Sequence, residues 1–271
     1  MDALSLVIPA LNEADVIATA VEEAVAALGE LFGEYEILVV DDGSTDDTPV
    51  IVERLAAAFP TVRLLRHERN RGYGAALRTG FEGANFDRVA FTDADCQFDL
   101  GDLAKMVPLA DEFPIVAGWR VDRKDPWRRR FLSKGYNLLA RTFLGTRVRD
   151  CDCALKVFRR AALANLLPKS RGFFVNTEML TRARQLGYDV TEVPVTHRPR
   201  LGGESKVSLR EVPKTLRTLL SFWWREVAFR RVRPAAVFQT KITLPARTAV
   251  PLPSSSTARR AARRVRPRES A

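Results

Sequence analysis

The chain has 271 residues, 46% of them hydrophobic, which suits one large α/β domain with or without appendages. Its net charge of +10 is concentrated near the C-terminus, because residues 232–271 contain nine Lys/Arg and one Glu and so contribute +8. The odd count of three cysteines argues against a disulfide framework, and the presence of only two histidines argues against a zinc site.

We expect neither a signal peptide nor a transmembrane helix. No basic segment precedes the first apolar run, and Pro9, Asn12 and Glu13 interrupt that run. No window of about 18 residues is both apolar and uncharged. The sequence therefore predicts a cytoplasmic protein that is still able to lie on a membrane surface.

Strand and helix patterns alternate over the first 120 residues. The apolar runs LSLVIP, YEILVVDD, VRLLRH, RVAFTDAD and PIVAGWRV read as strands, and helical spacing follows each of the first four. This alternation predicts a parallel sheet with helices on both faces, in which ligands bind beyond the carboxyl ends of the strands. Because VVDDGS and FTDADCQ fall at two such ends, we expect two acidic clusters to converge on one edge.

Two later segments are basic and amphipathic. In residues 128–144, Leu132, Leu139 and Phe143 recur at helical spacing among arginines and lysines. Residues 209–231 have a longer apolar stripe, formed by Leu209, Val212, Leu216, Leu219, Leu220, Trp223 and Val227. Such helices are typical of an anionic membrane interface. The alternative is that each stripe faces the protein core.

Three regions are therefore predicted: a folded domain over residues 1–206, an amphipathic membrane-interface region over 207–231, and a basic disordered tail over 232–271. The tail is rich in Pro, Ser, Ala and Arg and has no periodicity. Its composition is compatible with non-specific binding to anionic lipid or nucleic acid, and equally with a solubilising extension.

Two motifs in the loops after predicted strands are candidates for nucleotide binding. RGYGAALRTG places Gly72 and Gly74 before a helix, but it lacks the third glycine of a dinucleotide loop and the GK[ST] of a P-loop. In VVDDGSTDDT, Asp41 and Asp42 are suited to accept hydrogen bonds from a base or a ribose. The residues after Gly43 are equally suited to cap the next helix.

The motif DADCQ suggests a metal site. In an extended segment alternate side chains point the same way, so Asp93, Asp95 and Gln97 would present three oxygen ligands together. Hard oxygen donors suit Mg²⁺ or Mn²⁺, which would also bridge a substrate diphosphate. The alternative is a solvated acidic turn.

Together these motifs resemble family-2 glycosyltransferases of the GT-A fold. LVIPALNE, VVDDGSTDDT, NRGYGAALRTG and DADCQFD occur there in this order and at about this spacing. The later stretches RRFLSKGYNLLARTFLGTRVRDCDCALKVFRR, GFFVNTEML and EVPVTHRPRLGGESKV resemble the branch of dolichyl-phosphate mannose synthases and polyprenyl-phosphate glucosyltransferases. The resemblance implies a GT-A, Rossmann-like domain with a mixed, mostly parallel sheet.

The resemblance also implies roles for individual residues. Asp93, Asp95 and Gln97 would hold a divalent metal, and Arg120 and Arg130 would meet the acceptor phosphate. The catalytic set would be Asp95, Arg120, Arg130 and Lys206. The nucleotide sugar would contact Pro9, Leu11, Asn12, Glu13, Asp41, Asp42, Arg71, Gly72, Asp93, Arg200 and Ser205.

The implied activity is an inverting, metal-dependent transfer of a hexose from GDP-mannose or UDP-glucose to a polyprenyl or dolichyl phosphate. The protein would be peripheral on the inner face of the cell membrane, with no specific nucleic-acid partner. A lipid phosphate is largely ionised at pH 7, so it needs no strong general base. Transfer to a hydroxyl acceptor would need a base, for which Asp150, Asp152 and Glu178 are candidates. A third hypothesis is a nucleotide-binding or membrane-surface scaffold without catalysis.

Overall fold

A computed structural model describes residues 3–121, 127–199 and 211–228, with side chains for 3–121, 130–199 and 215–228. Within these residues seven strands form one sheet. Their bounds are β1 Ala3–Ala10, β2 Glu34–Asp41, β3 Val62–Arg66, β4 Arg88–Phe91, β5 Ile115–Val121, β6 Lys156–Arg159 and β7 Val190–Thr196. The sheet order is β3-β2-β1-β4-β6-β5-β7.

The predicted fold class is confirmed, because the sheet is mixed and mostly parallel. Strand β6 is antiparallel to both of its neighbours, whereas the other four strand pairs are parallel. Strands β2 and β3 lie on one side of β1, and β4 lies on its other side. The strand order therefore reverses between β1 and β4. Such a switch point is where open α/β sheets bind their ligands.

Eight α-helices accompany the sheet in the same part of the chain. Their bounds are α1 Ile17–Leu31, α2 Thr48–Ala58, α3 Tyr73–Gly83, α4 Leu103–Leu109, α5 Trp127–Leu139, α6 Arg160–Leu166, α7 Val175–Gln185 and α8 Glu211–Phe222. A 3₁₀ turn, Leu100–Asp102, precedes α4, and π-helical turns extend α5 through Ala140–Leu144 and α8 through Trp223–Val227. None of the helices that the structure describes has the length and apolar content needed to cross a membrane.

The first five predicted strands and both amphipathic helices are confirmed, but the sequence analysis did not identify β6 and β7. Strand β6 has only four residues and begins with the buried Lys156, so it lacks an apolar strand pattern. Strand β7 is an edge strand that contains Pro194, and its exposed and buried residues alternate only near its end. The predicted tail over 232–271 lies outside the described residues.

The core surrounds the central strands. Every residue of β1 from Leu4 to Ala10 is buried, as is every residue of β2 after Glu34. The main hydrophobic cluster joins these strands to α1, α3, α4 and α7. This packing gives a rigid base from which the loops at the carboxyl ends of β1, β2 and β4 extend.

Candidate active site

The carboxyl ends of β1, β2 and β4 lie at one edge of the sheet, as predicted. Residues Ala10 and Asp41 are paired across β1 and β2, and Val7 is paired with Phe91 of β4. The loops that follow these strands contain the LNE, DDGS and DADCQ motifs. The structure therefore brings the two acidic clusters to the same side of the molecule.

Hydrogen bonds join the loop after β1 to the loop after β2. The backbone N–H of Asn12 donates to Ser44 Oγ at 2.8 Å, and Asn12 Oδ1 accepts from the N–H of Thr45 at 2.8 Å. The N–H of Glu13 donates to Thr48 Oγ1 at 2.9 Å. Asn12 has a positive φ of 51°, a conformation that asparagine tolerates better than most residues. These bonds fix the shape of the loop formed by Leu11, Asn12 and Glu13, whose contact with the nucleotide stays a prediction.

The predicted capping role of the STDDT segment holds for Asp46, which bonds the first residue of α2, whereas the N-cap residue Asp47 makes no side-chain capping bond. Asp46 Oδ1 accepts from the N–H of Thr48 at 3.0 Å and from its hydroxyl at 2.6 Å. Partial burial raises the pKa of Asp46, but hydrogen bonds from Thr48 and from the N–H of Ala14 outweigh it and lower the pKa overall. The segment thus starts α2 and supports the loop after β1 at the same time.

Asp41 has a buried carboxylate oxygen that receives no hydrogen bond from any residue that the structure describes. Its Oδ1 accepts from the N–H of Ser44 at 3.1 Å. Its Oδ2 has no hydrogen-bond partner among the described residues, although Nε of the half-exposed Arg66 lies 3.3 Å away in poor alignment. Because an unsatisfied buried acceptor is costly, this oxygen is suited to receive an N–H group from a ligand.

Asp42, in contrast, is occupied by protein groups. Its Oδ1 lies 2.6 Å from Nδ1 of His67 and accepts from the N–H of Arg71 at 2.9 Å. Its Oδ2 accepts from the N–H of Gly72 at 2.8 Å. Asp42 therefore shapes the loop before α3, and its predicted contact with the nucleotide stays a prediction. His67 was missed, although its position after β3 marks it as an edge residue.

Gly72 and Gly74 allow the start of α3 to pack closely against the loop before α7. Gly72 has a φ of 100°, and a Cβ there would collide with the carbonyl oxygen of Arg171. A Cβ on Gly74 would collide with the carbonyl oxygen of Ser170. The facing loop is held in turn by Glu178, which accepts from the N–H groups of Lys169 and Ser170 at 3.1 and 2.7 Å.

Asp93 and Asp95 follow β4, but the segment from Asp93 to Gln97 is not extended as predicted. Cys96 has a left-handed φ of 56°, and the N–H of Gln97 donates to Asp95 Oδ1 at 3.2 Å. The side-chain amide of Gln97 donates to the carbonyl of Arg198 at 3.4 Å. The alternation argument was therefore wrong about geometry, and Gln97 as a metal ligand stays a prediction.

Tyr73 is a further residue at this motif that the sequence analysis missed. Its hydroxyl donates to Asp93 Oδ1 at 2.8 Å. Burial, followed by the negative charge of Asp93, raises the pKa of Tyr73 well above its ordinary value. The phenol therefore stays protonated and orients one oxygen of Asp93.

The donor set of this motif fits a divalent cation that a substrate also ligates. Across the described residues, no three His, Cys, Asp or Glu side chains are grouped as a complete metal site. Mg²⁺ is commonly held by only one or two carboxylates together with substrate phosphates and water. The half-buried Asp93 and the buried Asp95 supply two such carboxylates next to the sheet edge.

Arg120 is held in an ion pair. Its Nε and Nη2 atoms donate to the two oxygens of Asp150 at 2.7 and 2.9 Å, with 6% and 8% of the two side chains exposed. Burial lowers the pKa of Arg120, but the hydrogen bonds and charge of Asp150 outweigh it and raise the pKa overall. Arg130 is exposed on α5. Arg200, Ser205 and Lys206 lie outside the described residues.

Lys156 is a buried cation that the sequence analysis did not single out. Its Nζ donates to the carbonyls of Cys151 and Cys153 and to Asn176 Oδ1. Burial lowers the pKa of Lys156. The available signal was a lysine among apolar residues in ALKVF, residues 154–158. Lys156 ties the CDC segment to α7.

Five of the ten residues in the two predicted apolar stripes pack in one hydrophobic cluster. Leu139, Phe143, Trp223 and Val227 surround a small cluster formed by Leu144, Phe174 and Leu219. The core alternative is therefore correct for these residues. The same two helical segments also carry exposed apolar side chains, which we call the exposed apolar surface: Phe131, Leu138, Leu220 and Trp224, which are 72%, 65%, 50% and 60% exposed.

Sequence comparison identifies the family to which this chain belongs. The profile of glycosyl transferase family 2 matches residues 5–167, so the chain belongs to that family. Glycosyltransferase AglD of Haloferax volcanii is 34% identical over 233 residues, covering 82% of this chain and 37% of AglD. The undecaprenyl-phosphate 4-deoxy-4-formamido-L-arabinose transferase of Sodalis glossinidius is 32% identical over 225 residues, covering 82% of this chain and 68% of that protein.

Solved structures of glucosyl-3-phosphoglycerate synthase from Mycobacterium tuberculosis share the fold. The complex with phosphoglyceric acid aligns with a TM-score of 0.64, at 22% identity over 87% of this chain and 88% of that one. The complex with Mn²⁺, UDP-glucose and phosphoglyceric acid aligns with a TM-score of 0.62 at the same identity and coverage. These alignments confirm the GT-A type of sheet.

Proposed function

We propose that the chain transfers a hexose from a nucleotide sugar to a polyprenyl phosphate at the inner face of the cell membrane. GDP-mannose and UDP-glucose are the donors to be tested. The relative from Sodalis glossinidius, whose name specifies an undecaprenyl-phosphate acceptor, supports this acceptor class. Because the chain spans only 37% of AglD, the activity of that whole protein is not transferred to it.

The donor side of the proposal rests on the sheet edge. The buried Oδ2 of Asp41 is suited to accept an N–H of the nucleotide base. Asp93 and Asp95 are proposed to hold Mg²⁺ or Mn²⁺ against the donor diphosphate, with Gln97 as a further ligand. A divalent cation bound there would neutralise charge that develops on the leaving diphosphate. Tyr73 would keep Asp93 oriented through its 2.8 Å hydrogen bond.

The acceptor assignment rests on one structural observation: the candidate bases Asp150 and Glu178 are held by other protein groups. Both oxygens of Asp150 accept from Arg120. Glu178 is buried and receives two backbone N–H groups, with Arg182 Nε 3.5 Å away. An acceptor that is already ionised needs no proton removed, so a phosphate oxygen could attack the anomeric carbon directly. Attack in line with the leaving diphosphate would invert that carbon.

We propose that two arginines and the membrane surface together position the acceptor. Arg120 and Arg130 are proposed to orient the lipid phosphate, the first while paired with Asp150. The exposed apolar surface is flanked by exposed basic residues, among them Lys134, Arg217 and Arg225. Exposed apolar groups beside basic ones are typical of proteins that lie on anionic membranes. The enzyme would thus meet its lipid acceptor at the bilayer surface.

A comparison of two acceptors tests this assignment. A polyprenyl phosphate and the corresponding free polyprenol are each incubated with labelled donor and Mn²⁺. We expect label in the phosphate acceptor alone, and an Asp152→Asn variant that retains most of its activity. Transfer to the polyprenol that Asp152→Asn abolishes would instead establish a hydroxyl acceptor with Asp152 as the general base.

A further inference from the structure

A basic pocket lies outside the candidate active site, between the end of α5 and strand β7. Its volume is about 680 Å³, and it is open to solvent. It is lined by Arg141, Gly145, Thr146, Arg147, Arg149, Arg184 and Glu192. We call it the arginine pocket. None of these residues belongs to the nucleotide, metal or catalytic sets described above.

The arginine pocket has a strong excess of positive charge. Among the described residues that line it, four are arginines and Glu192 is the only one with a carboxylate. In the part of the chain that the structure describes, none of the four arginines forms an ion pair with a carboxylate. Cationic concave surfaces concentrate anions, because low-dielectric walls focus the field.

The guanidinium groups are held in place by the protein. Arg141 Nε donates to the carbonyl of Val148 at 3.0 Å, and Arg184 Nη1 donates to the carbonyl of Leu144 at 3.3 Å. Arg184 lies directly over Gly145, where a Cβ would collide with the guanidinium.

Arg149 is ordered by the edge of the sheet. Its guanidinium lies 4.9 Å from the centre of the Trp119 ring. The backbone N–H of Arg149 donates to Glu192 Oε1 at 2.6 Å. Three of the four arginines in the pocket lining therefore have fixed partners, which lowers the entropy lost when a ligand binds.

We propose that the arginine pocket binds a phosphate group, either of a soluble phosphorylated compound or of a lipid headgroup. Planar guanidinium groups match phosphate oxygens in two-point hydrogen bonds, and several of them together favour a multiply charged anion. The exposed Leu138 precedes Arg141 by three residues on the same helical segment, so a headgroup could reach the pocket from the exposed apolar surface. This site goes beyond the proposed sugar transfer and requires no nucleotide sugar.

The pocket also lies next to a group with a proposed catalytic role. Arg149 directly precedes Asp150, which pairs with Arg120. A ligand that binds Arg149 would therefore contact the residue next to Asp150, whose ion pair orients Arg120.

A paired set of variants tests the proposal in the full chain. Arg147→Ala/Arg149→Ala removes two charges from the pocket, and Arg54→Ala/Arg78→Ala removes two exposed charges from helices α2 and α3. Inorganic phosphate is titrated by calorimetry in EDTA, which silences metal-dependent binding at the active site. Phosphatidylcholine vesicles with and without phosphatidic acid form the second arm. Unfolding midpoints show that each variant is folded.

We expect the pocket variant to bind at least about tenfold more weakly than the wild type, and the control variant to stay within about twofold. A loss restricted to phosphatidic acid vesicles identifies a lipid headgroup, and a loss restricted to inorganic phosphate identifies a soluble compound. Failure of the wild type to bind either probe overturns the proposal. Equal affinities of the two variants in both arms also overturn it.

Discussion

The Nδ1 atom of His67 lies 2.6 Å from Oδ1 of Asp42, and this contact joins the ends of strands β3 and β2. The opposite ring nitrogen, Nε2, lies 2.8 Å from Thr79 Oγ1 on α3. Asp42 then receives the N–H groups of Arg71 and Gly72. The imidazole is thus the central group of a small network that sets the position of the loop before α3, beside the proposed nucleotide pocket.

Replacement of His67 is expected to impair donor binding more than turnover. In His67→Ala, Asp42 loses a buried partner, so the unfolding free energy should fall by about 1–3 kcal/mol. The KM for the nucleotide sugar should rise about tenfold with a smaller change in kcat. Thr79→Val, which removes only the outer contact of the ring, is the matched control and should change KM less. An unchanged KM in His67→Ala would contradict the positioning role.

The space around two glycines, one crowded and one open, predicts opposite effects of their replacement by alanine. Gly72→Ala places a Cβ against the carbonyl of Arg171 in a left-handed conformation, and should destabilise the protein by about 2 kcal/mol or more. Gly135→Ala, in α5, has no atom within 4 Å of its new Cβ and should stabilise by about 0.5–1 kcal/mol. Urea unfolding measures both. Equal stabilities of the two variants would show that the loop at 170–171 yields freely.

The three cysteines are expected to be inert in the folded protein. Burial raises the pKa of Cys96 to about 11 and those of Cys151 and Cys153 to about 12. At pH 8 the thiols are therefore protonated and inaccessible, so a disulfide reagent such as DTNB should react with none of them until urea is added. A thiol that reacts at pH 8 as fast in the native protein as in urea would refute the packing described.

The raised pKa values of the thiols also predict how the unfolding free energy changes at alkaline pH. Folded thiols titrate above the ordinary value of 9.0, so the folded state binds more protons than the unfolded state between pH 9 and the folded values. Their contribution to stability is complete below pH 9 and is lost as the pH rises toward 12. The unfolding free energy of Cys153→Ala should accordingly decline less than that of the wild type between pH 8.5 and 10.5.

The exposed apolar surface should control membrane binding. Phe131→Ser/Leu138→Ser removes two large exposed side chains from α5, and binding to anionic vesicles should weaken at least about tenfold. Leu31→Ser/Val50→Ser removes two exposed apolar side chains from α1 and α2, at 36% and 42% exposure, and is the control. Flotation assays quantify both. Equal binding by the two variants would place the membrane contact elsewhere.

Sequence patterns were sufficient to predict the first five strands of the sheet. Strands β1 to β5 have apolar runs followed by loops, and their carboxyl ends place Asp41 and Asp93 at one edge. Strand β6 depends on antiparallel pairing of residues 156–159 with β4 and β5, far away in sequence, and its buried lysine hides the pattern. Tertiary pairing, rather than local propensity, determines this strand.

Residue partners within the site were less predictable than the site itself. The commitment of Asp42 to His67 and of Asp150 to Arg120 requires contacts across 25 and 30 residues of sequence. The turn at Cys96 depends on one left-handed residue, whereas spacing alone indicated an extended segment. The amphipathic stripes likewise predicted two helices correctly, but not which apolar side chains pack inside.

Formation of a labelled, organic-extractable product tests the central claim most directly. The wild type is incubated with radiolabelled GDP-mannose or UDP-glucose, Mn²⁺ or Mg²⁺, and a short polyprenyl phosphate. We predict label in the organic phase from at least one donor, with a loss of about a hundredfold or more in EDTA or in Asp95→Asn. Absence of extractable label from both donors, or full activity of Asp95→Asn in EDTA, would contradict the account.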